Sequence, residues 1–291
     1  MISGILLLDK PAGWSSNQAL GKAKRLLGER KAGHTGTLDP FATGLLPLLF
    51  GEATKFSADL LDADKAYEAT AQLGVRTNTG DIEGEPVEVK DVAVTREQLD
   101  TALSSFRGEI AQVPPMHSAL KREGQPLYVL ARQGIEVERA PRRVRITELR
   151  VLEFGGDRLK FHVRCSKGTY VRTLAQDIGA ALGCGAHLQA LRRLEVGDLR
   201  LADAITLEAL EGEAIEARRQ HLAPADALLQ SLARVDLDEA LAARFVQGQR
   251  LKLDVKTSGR VRVYGAQRLL GTAELAPDGR LQPQRLMVYR D

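Results

Sequence analysis

A short loop that contains two glycines holds side chains whose types and spacing could do chemistry. His34 and Asp39 stand five residues apart in residues 33–40, which also contain an Asp-Pro pair. The residue before a proline is disfavoured in a helix, so a loop is predicted here. An imidazole and a carboxylate are candidate metal ligands, but no third ligand cluster accompanies them. Taken alone, the pair is more typical of a turn that an aspartate caps.

Other common sites can be excluded. The phosphate-binding pattern Gly-x-x-x-x-Gly-Lys-Ser/Thr is absent, and Leu188 follows residues 183–185 where a dinucleotide fingerprint requires its third glycine. Cys184 and His187 have the spacing of a zinc pair, but Cys165 is the only other thiol and nothing supplies a matching fourth ligand. We therefore expect neither a metal nor a cofactor.

Positive charge is concentrated in one part of the chain. The whole sequence has a net charge of +3 and a pI near 8.9, which is too mild to indicate a polyanionic partner by itself. Residues 121–145 contain seven basic and three acidic side chains, so this window exceeds the surplus of the whole chain. Charge alone does not decide whether the window is a solvated face or a contact for a polyanion.

The elements that must position these residues alternate irregularly. Capping residues predict helices that begin after Ser15 or Ser16 and after Thr95, and apolar spacing predicts a third at 173–182. The first of these helices has apolar residues on one face at Ala19, Ala23, Leu26 and Leu27. Apolar or alternating runs predict strands at 5–8, 45–50, 67–75, 144–154 and 159–165. Helix signals continue through 206–231. Because no regular βαβ rhythm is present, we expect an α+β fold.

Length and composition indicate a globular protein with unequal domains. The chain has 291 residues, of which 44% are hydrophobic and 27% charged, and no stretch approaches the ~18 apolar residues that span a membrane. Two cysteines cannot form a disulfide framework, so a cytoplasmic location is expected. We place a first domain at 1–232, with a basic arm inserted at 114–145, and a small all-β domain at 233–291.

Several motifs in the first 200 residues carry a resemblance to one family. Residues 33–40 followed by 42–47 resemble the catalytic motif of the TruB family of tRNA pseudouridine synthases. Further matches occur in the family's order at 4–11, 52–55, 65–67, 80–81, 114–119 with Lys121, 166–172 and 191–193. The resemblance implies a core with a mixed, mainly antiparallel sheet and flanking helices. It also implies a PUA-like domain at the C-terminal end.

The implied reaction converts uridine 55 in the T loop of tRNA to pseudouridine. The glycosidic bond breaks, the uracil turns and C5 bonds to C1′, so no oxidation or phosphate transfer requires a cofactor. The resemblance makes Asp39 the reactive carboxylate, with its attack on C1′, addition to the base or removal of a ribose proton left open. Arg172 is the expected cation beside it, because an extended segment at 170–172 would place Tyr170 and Arg172 on one face. Tyr67 resembles the aromatic that stacks on the base, and its phenol is a candidate for handling the C5 proton.

The remaining site residues also come from the resemblance. Tyr170 and Leu191 resemble pocket walls, and Lys10 and Lys55 are expected to support the site or to contact phosphate. A base inside a folded loop must be extruded at a cost of a few kcal/mol. His34, on an exposed loop, resembles the residue that fills the space the base leaves.

The expected partner is tRNA, contacted at two places. The arm at 114–145 resembles a thumb that closes over the T arm, with Arg142 and Arg143 on phosphates, and the C-terminal domain would grip the acceptor stem. We expect a monomer that uses no guide RNA and does not bind a membrane. Two alternatives remain, a guide-RNA-dependent relative, which is expected to lack the arm, and a non-catalytic RNA-binding or tRNA-folding protein.

Overall fold

The computed structural model describes residues 2–118, 120–122, 124–254 and 257–289. Strands before residue 230 are β1 Gly4–Lys10, β2 Ala32–His34, β3 Thr43–Phe50, β4 Lys65–Leu73, β5 Val75–Thr77, β6 Pro86–Val89, β7 Gly108–Gln112, β8 Lys121–Arg122, β9 Gln125–Pro126, β10 Arg142–Gly155, β11 Arg158–Cys165, β12 Ala186–Val196, β13 Leu199–Arg200, β14 Ile205–Thr206 and β15 Leu222–Ala223. Later strands are β16 Ala233–Leu237, β17 Leu251–Lys252, β18 Gly259–Gly265, β19 Arg268–Leu275 and β20 Arg280–Leu286.

Helices flank these strands. The α-helices are α1 Ser16–Leu27, α2 Ser57–Leu61, α3 Arg96–Ser104, α4 Leu127–Arg132, α5 Val171–Ala181, α6 Leu207–Gly212, α7 Ile215–Gln220 and α8 Glu239–Val246. Short 3₁₀ helices occupy Gly51–Phe56, Leu201–Asp203 and Ala225–Leu229. None of the helices within the described ranges is long and apolar enough to cross a membrane.

The larger sheet is mixed and mainly antiparallel, as expected. Its order is β14-β1-β3-β12-β4-β11-β10-β7, with β2 added to β3, β13 to β12 and β15 to β1. The parallel pairs are β1 with β14 and β3 with β12. Strand β12 therefore lies between β3 and β4, and it brings the start of β3, which follows the loop with Asp39, next to β4, which contains Tyr67.

A close backbone approach joins β3 to β12. Gly44 has a φ of +101°, and a Cβ there would lie 2.3 Å from the Arg193 carbonyl oxygen. A side chain at this position would be both strained and in collision with backbone. Glycine at position 44 is thus needed for β12 to run beside the start of β3.

Helix α1 illustrates how local sequence sets an element. Ser15 caps it and forms a reciprocal capping box with Gln18, and Gly28 ends it with a φ of +68°. Its buried face holds Ala19, Ala23, Leu26 and Leu27. These are the positions that the periodicity predicted.

The C-terminal region forms its own sheet in the order β16-β18-β19-β20-β17. Its apolar core includes Val235, Phe245, Val261 and Leu281. The expectation of a purely β region is wrong in one respect, because Asp238 caps helix α8 against this sheet.

The two sheets meet through a shared apolar cluster and a buried carboxylate. Tyr264, Leu269 and Met287 pack with residues of β1 and β3. Glu52, just after β3, accepts hydrogen bonds from Lys31 at 2.7 Å, from Lys55 and from the Val288 amide at 2.9 Å. Burial opposes ionisation, but these three donors hold the pKa of Glu52 at about 2.

Candidate active site

The loop between β2 and β3 is fixed by hydrogen bonds to two residues of the N-terminal segment. Ser16 donates through Oγ to the Leu38 carbonyl at 3.0 Å and accepts from the Leu38 amide at 2.8 Å. The Gly13 amide donates to the Pro40 carbonyl at 2.8 Å. These bonds hold the backbone on both sides of Asp39.

Lys10 is entirely buried beneath this loop. Its Nζ donates to the carbonyls of Pro11, Trp14 and Pro40 at 2.8, 2.6 and 3.2 Å. Burial lowers its pKa to about 8, and the Asp39 carboxylate opposes that fall. Of the two roles expected for Lys10, support of the site fits, whereas a buried ammonium cannot reach a phosphate in solvent.

Arg172 and Asp39 form an ion pair. The Arg172 Nε lies 3.0 Å from Asp39 Oδ2, and a terminal nitrogen donates to Oδ1 at 3.4 Å. The Arg172 side chain is 6% exposed, whereas that of Asp39 is 34% exposed. Arg172 is thus the more deeply buried partner, and part of the Asp39 carboxylate stays accessible to a substrate.

The other donors of Arg172 are also used. Nη1 donates to the Thr79 carbonyl at 3.0 Å and to Asp81 at 3.1 Å. Nη2, the nitrogen that donates to Asp39, also donates to the His117 carbonyl at 2.7 Å. The two terminal nitrogens therefore make four hydrogen bonds, two each, and Nε adds the charge contact with Asp39. Asp81 itself is held by the Thr79 hydroxyl at 2.6 Å and the Glu83 amide at 3.1 Å.

The secondary structure that positions Arg172 differs from the sequence expectation. Tyr170 is the residue before α5, and Arg172 lies in the first turn of that helix rather than in an extended segment. The argument from strand periodicity was wrong, although the pairing of Arg172 with Asp39 is present. The buried face of α5 points Arg172 inward.

Several charges act on the carboxyl of Asp39. Burial raises its pKa, and the Asp81 carboxylate adds to that rise. The Arg172 guanidinium and the Lys10 ammonium oppose it. The site therefore balances desolvation against two buried cations.

Tyr67 and Leu191 lie on neighbouring strands of the larger sheet. Tyr67 is in β4 and Leu191 in β12, and both belong to the main buried cluster. Burial raises the pKa of the Tyr67 phenol, and the Asp39 carboxylate is among the charges that act on it. An apolar and an aromatic side chain at this position can hold a flat base between them.

Tyr170 is positioned by a residue that the sequence analysis missed. Gln112 is buried at the end of β7, donates to the Tyr170 carbonyl at 3.1 Å and accepts from the Tyr170 amide at 2.8 Å. Burial raises the pKa of the Tyr170 phenol, while the nearby Arg142 and Arg172 guanidinium groups oppose the rise. Residues 112–118 thus contact the start of α5.

His34 ends strand β2 and is half-buried, rather than lying on an exposed loop as expected. Its Nδ1 is buried without a hydrogen-bond partner among the described residues. Burial and the nearby Arg193 guanidinium lower its pKa, which favours the neutral imidazole.

The other predicted basic residues occupy different places. Lys55 binds Glu52 and the Leu286 carbonyl, so its contacts are at the junction of the two sheets and not with Asp39. Arg142 and Arg143 begin β10 and pair with β7, so the regular sheet starts three residues before the expected end of the arm. Both are exposed.

Arg142 and Arg143 face different surroundings. Arg142 is near enough to Tyr170 to act on its phenol. Arg143 lies 3.5 Å from Glu109 on the neighbouring strand. Successive strand residues point to opposite faces, so only Arg142 is oriented toward the described site.

Asp81 and Arg193 are further functional candidates that were quoted only within motifs. Arg193 is 1% exposed and donates to the carbonyls of Leu45 and Gly36. Asp81 could have been found as the acidic residue of a turn rich in polar side chains. No local signal marks Arg193, because its importance comes from the pairing of β12 with β3 and β4.

No cluster of three or more His, Cys, Asp or Glu side chains suited to a metal ion occurs in the described part of the chain. Cys165 and Cys184 are free and buried. Burial raises the pKa of the Cys165 thiol to about 12, which makes it a poor nucleophile. The chemistry available here is that of Asp39, Arg172 and Tyr67.

Three family models match successive parts of the chain. Residues 24–171 match "TruB family pseudouridylate synthase (N terminal domain)" and residues 172–230 match "tRNA pseudouridylate synthase B C-terminal domain". Residues 233–287 match "Pseudouridine synthase II TruB, C-terminal".

Curated relatives match over nearly their full lengths. A protein named tRNA pseudouridine synthase B from Dechloromonas aromatica (strain RCB) is 56% identical over 290 residues, which cover 100% of this chain and 97% of the relative. A protein of the same name from Burkholderia mallei (strain NCTC 10247) is 58% identical over 295 residues, covering 99% of this chain and 97% of the relative.

Solved structures support the same fold. A chain of a Cbf5-Nop10-Gar1 complex has a TM-score of 0.74 and 26% identity, covering 97% of this chain and 84% of its own length. A chain of an H/ACA RNP bound to a substrate RNA containing 2′-deoxyuridine has the same TM-score and 25% identity, with coverages of 99% and 86%. The motif resemblance and the α+β fold are confirmed: this chain belongs to the TruB family of pseudouridylate synthases.

Proposed function

We propose that this protein converts uridine 55 in the T loop of tRNA to pseudouridine without a cofactor. The observation that carries the proposal is the half-buried Asp39, held by Arg172 beside Tyr67 in the family's catalytic loop. The printed names of its relatives support tRNA as the substrate. An enzyme acting on tRNA would work in the cytoplasm.

The proposed chemistry is an internal rearrangement. The C1′–N1 bond breaks, the detached uracil turns, C5 bonds to C1′, and the C5 proton then leaves. Asp39 is the reactive group, and attack on C1′, addition to the base and removal of a ribose proton remain distinct roles for it. Tyr67 stacks on the base and takes the C5 proton, while Tyr170 and Leu191 form walls of the pocket.

Base extrusion explains the position of His34. A nucleotide inside a folded loop must leave its stack before Asp39 can reach it, at a cost of a few kcal/mol. A neutral, half-buried imidazole with an unused nitrogen can occupy the vacated space and accept or donate a hydrogen bond there. His34 acts as this wedge.

Binding uses surfaces outside the pocket. We assign residues 1–232 to the catalytic domain, with the arm at 114–145 on the T arm, and residues 233–291 to the domain on the acceptor stem. Arg142 contacts phosphate near Tyr170, and Arg143, on the opposite face of β10, contributes positive charge to the RNA-binding surface. The protein acts as a monomer and without a guide RNA.

The decisive experiment uses an unmodified tRNA transcript and the purified chain, with no other RNA present. We expect pseudouridine at position 55 and nowhere in a matched transcript that has cytidine there, with activity retained in a chelator. Asp39→Asn is the control for contaminating enzyme. Modification that occurs only after a guide RNA is added would replace the proposal with the guided function to which the H/ACA similarity points.

A further inference from the structure

Arg193 is a buried cation that lacks a carboxylate partner within the described residues. Its side chain is among the largest that are fully buried, and Nε donates to the Leu45 carbonyl at 2.7 Å. A terminal nitrogen donates to the Gly36 carbonyl at 3.1 Å. Buried charges are normally paired, whereas these acceptors are neutral. The carbonyls that hold Arg193 therefore leave its positive charge without a neutralising negative group in the described ranges.

The ionisable group directly opposite Arg193 is Tyr67. The two residues are register partners in the β12–β4 ladder, and side chains of such partners lie on one face with Cβ atoms ~5 Å apart. The positive charge of the guanidinium acts on the Tyr67 phenol, and so opposes the rise in pKa that burial causes.

Other groups surround the same phenol. Cys165 on β11 and Asp39 on the catalytic loop both raise the pKa of Tyr67. Arg193 also acts on Lys10 and His34, whose pKa values it lowers. Among the groups that act on Tyr67, Arg193 is the one that favours a negative phenol oxygen.

Arg193 also contacts the loop that carries Asp39. Its bond to the Gly36 carbonyl ties that loop to β12, three residues before Asp39. The Arg193 guanidinium thus joins the loop that carries Asp39 to β12, at the position opposite Tyr67.

We infer that Arg193 is a positioning residue that holds the Tyr67 phenol at the target base and supplies the positive charge beside its oxygen when Tyr67 takes the C5 proton. The inference rests on the proposed function. In that step the Tyr67 phenolate oxygen bonds to the C5 proton, and the C5–H electron pair forms the C5=C6 double bond. The former C6=N1 pair moves to N1, which takes a proton from solvent. Tyr67 then returns its proton to solvent, so the net change is an isomerisation.

The test compares Arg193→Gln and Arg193→Lys with wild type, using Arg192→Gln as the matched control. Arg192 is the next residue on β12 but is partly exposed and paired with Asp9. Single-turnover rates at saturating tRNA are measured from about pH 6 to 9.5, together with tRNA affinity. We expect Arg193→Gln to slow the neutral-pH rate at least tenfold, with tRNA affinity within threefold.

The Lys variant separates charge from packing. Burial already raises the pKa of the Tyr67 phenol above its ordinary value of 10.0 in wild type, so phenolate is the minor form in both proteins from about pH 6 to 9.5. The wild-type and Arg193→Gln rates should therefore both rise with pH, by up to tenfold per pH unit, with a constant ratio between them. Arg193→Lys should recover part of the lost rate at every pH. A Lys variant no better than Gln, or an Arg193→Gln rate that does not change with pH, overturns the inference.

A second measurement does not depend on RNA. The ultraviolet titration of Tyr67, isolated as the difference between each protein and its Tyr67→Phe partner, should move to higher pH in Arg193→Gln and less in Arg193→Lys. An unmoved titration also overturns the inference, and Arg193→Lys answers the question if the Gln variant does not fold. Failure of the proposed function is recognised separately, because wild type would then form no pseudouridine at position 55.

Discussion

Replacement of Arg172 by lysine would show whether the shape of the guanidinium, rather than its charge, holds Asp39. Arg172 makes four hydrogen bonds, two from each terminal nitrogen, to Asp39, Asp81, Thr79 and His117. A lysine ammonium has a single nitrogen, which can replace only one of the two terminal nitrogens, so at least two of these bonds must be lost. Arginine and lysine are not interchangeable at such a site.

The magnitude follows from the lost bonds. A buried acceptor left without its donor costs about 1–3 kcal/mol, so two of them cost about 2–6 kcal/mol, shared between folding and the transition state. If only 2 kcal/mol falls on the barrier, the rate decreases about 30-fold. We therefore expect Arg172→Lys to be slowed at least 30-fold and to unfold at a lower temperature.

The assay is single-turnover pseudouridine formation at saturating tRNA, with tRNA binding and thermal unfolding measured on the same preparations. Arg200→Lys is the control, because Arg200 is 45% exposed and pairs with Glu195 at 3.1 Å; its rate should stay within twofold of wild type. A rate for Arg172→Lys within threefold of wild type, with unchanged thermal stability, would refute the reasoning.

Three further outcomes are expected. Asp39→Asn should abolish pseudouridine formation but leave tRNA affinity within a few fold, because it removes the reactive oxygen and no phosphate contact; more than a few percent of wild-type turnover would contradict this. Arg142→Gln should make the slope of log affinity against log salt shallower by up to about one unit. Arg143→Gln should change the slope less, because Glu109 faces it, and parallel lines for wild type and Arg142→Gln would count against a phosphate contact. Glu52→Gln should lower the free energy of unfolding at neutral pH by about 1–3 kcal/mol. The pKa of Glu52 is about 2 in the folded protein against 4.5 ordinarily, so its contribution is present above about pH 4.5 and is lost as pH falls toward 2. Urea unfolding at several pH values measures it, and a gap that does not close in acid would show that charge is not the cause.

Local patterns in the sequence predicted the elements well where a single segment carries the signal. The capping box at Ser15 and the apolar spacing of Ala19 and Ala23 give α1 at its observed position. The motif resemblance also gave the family correctly. These features depend on neighbours within about a turn or two of one another.

Features set by tertiary contacts were not accessible in this way. Arg172 was placed in an extended segment, because three residues cannot distinguish the end of a strand from the first turn of a helix. The role of Gln112 depends on hydrogen bonds to a residue 58 positions away. Arg193 acquires its surroundings from two ladders whose register the sequence does not state.

The contacts at Glu52 fix the position of the C-terminal sheet relative to the catalytic loop. Because Val288 and Lys55 converge on one carboxylate and Tyr264 and Met287 pack into the apolar layer behind β3, the C-terminal sheet is braced at a set span from Asp39. Under the proposed function, a tRNA bound by its acceptor stem to the C-terminal sheet would place one nucleotide at Asp39. That nucleotide is the one whose distance from the acceptor stem equals the distance from the C-terminal sheet to Asp39. The choice of target would then follow from the length of a folded arm, and tRNAs that differ in stem sequence but agree in length would be equivalent substrates.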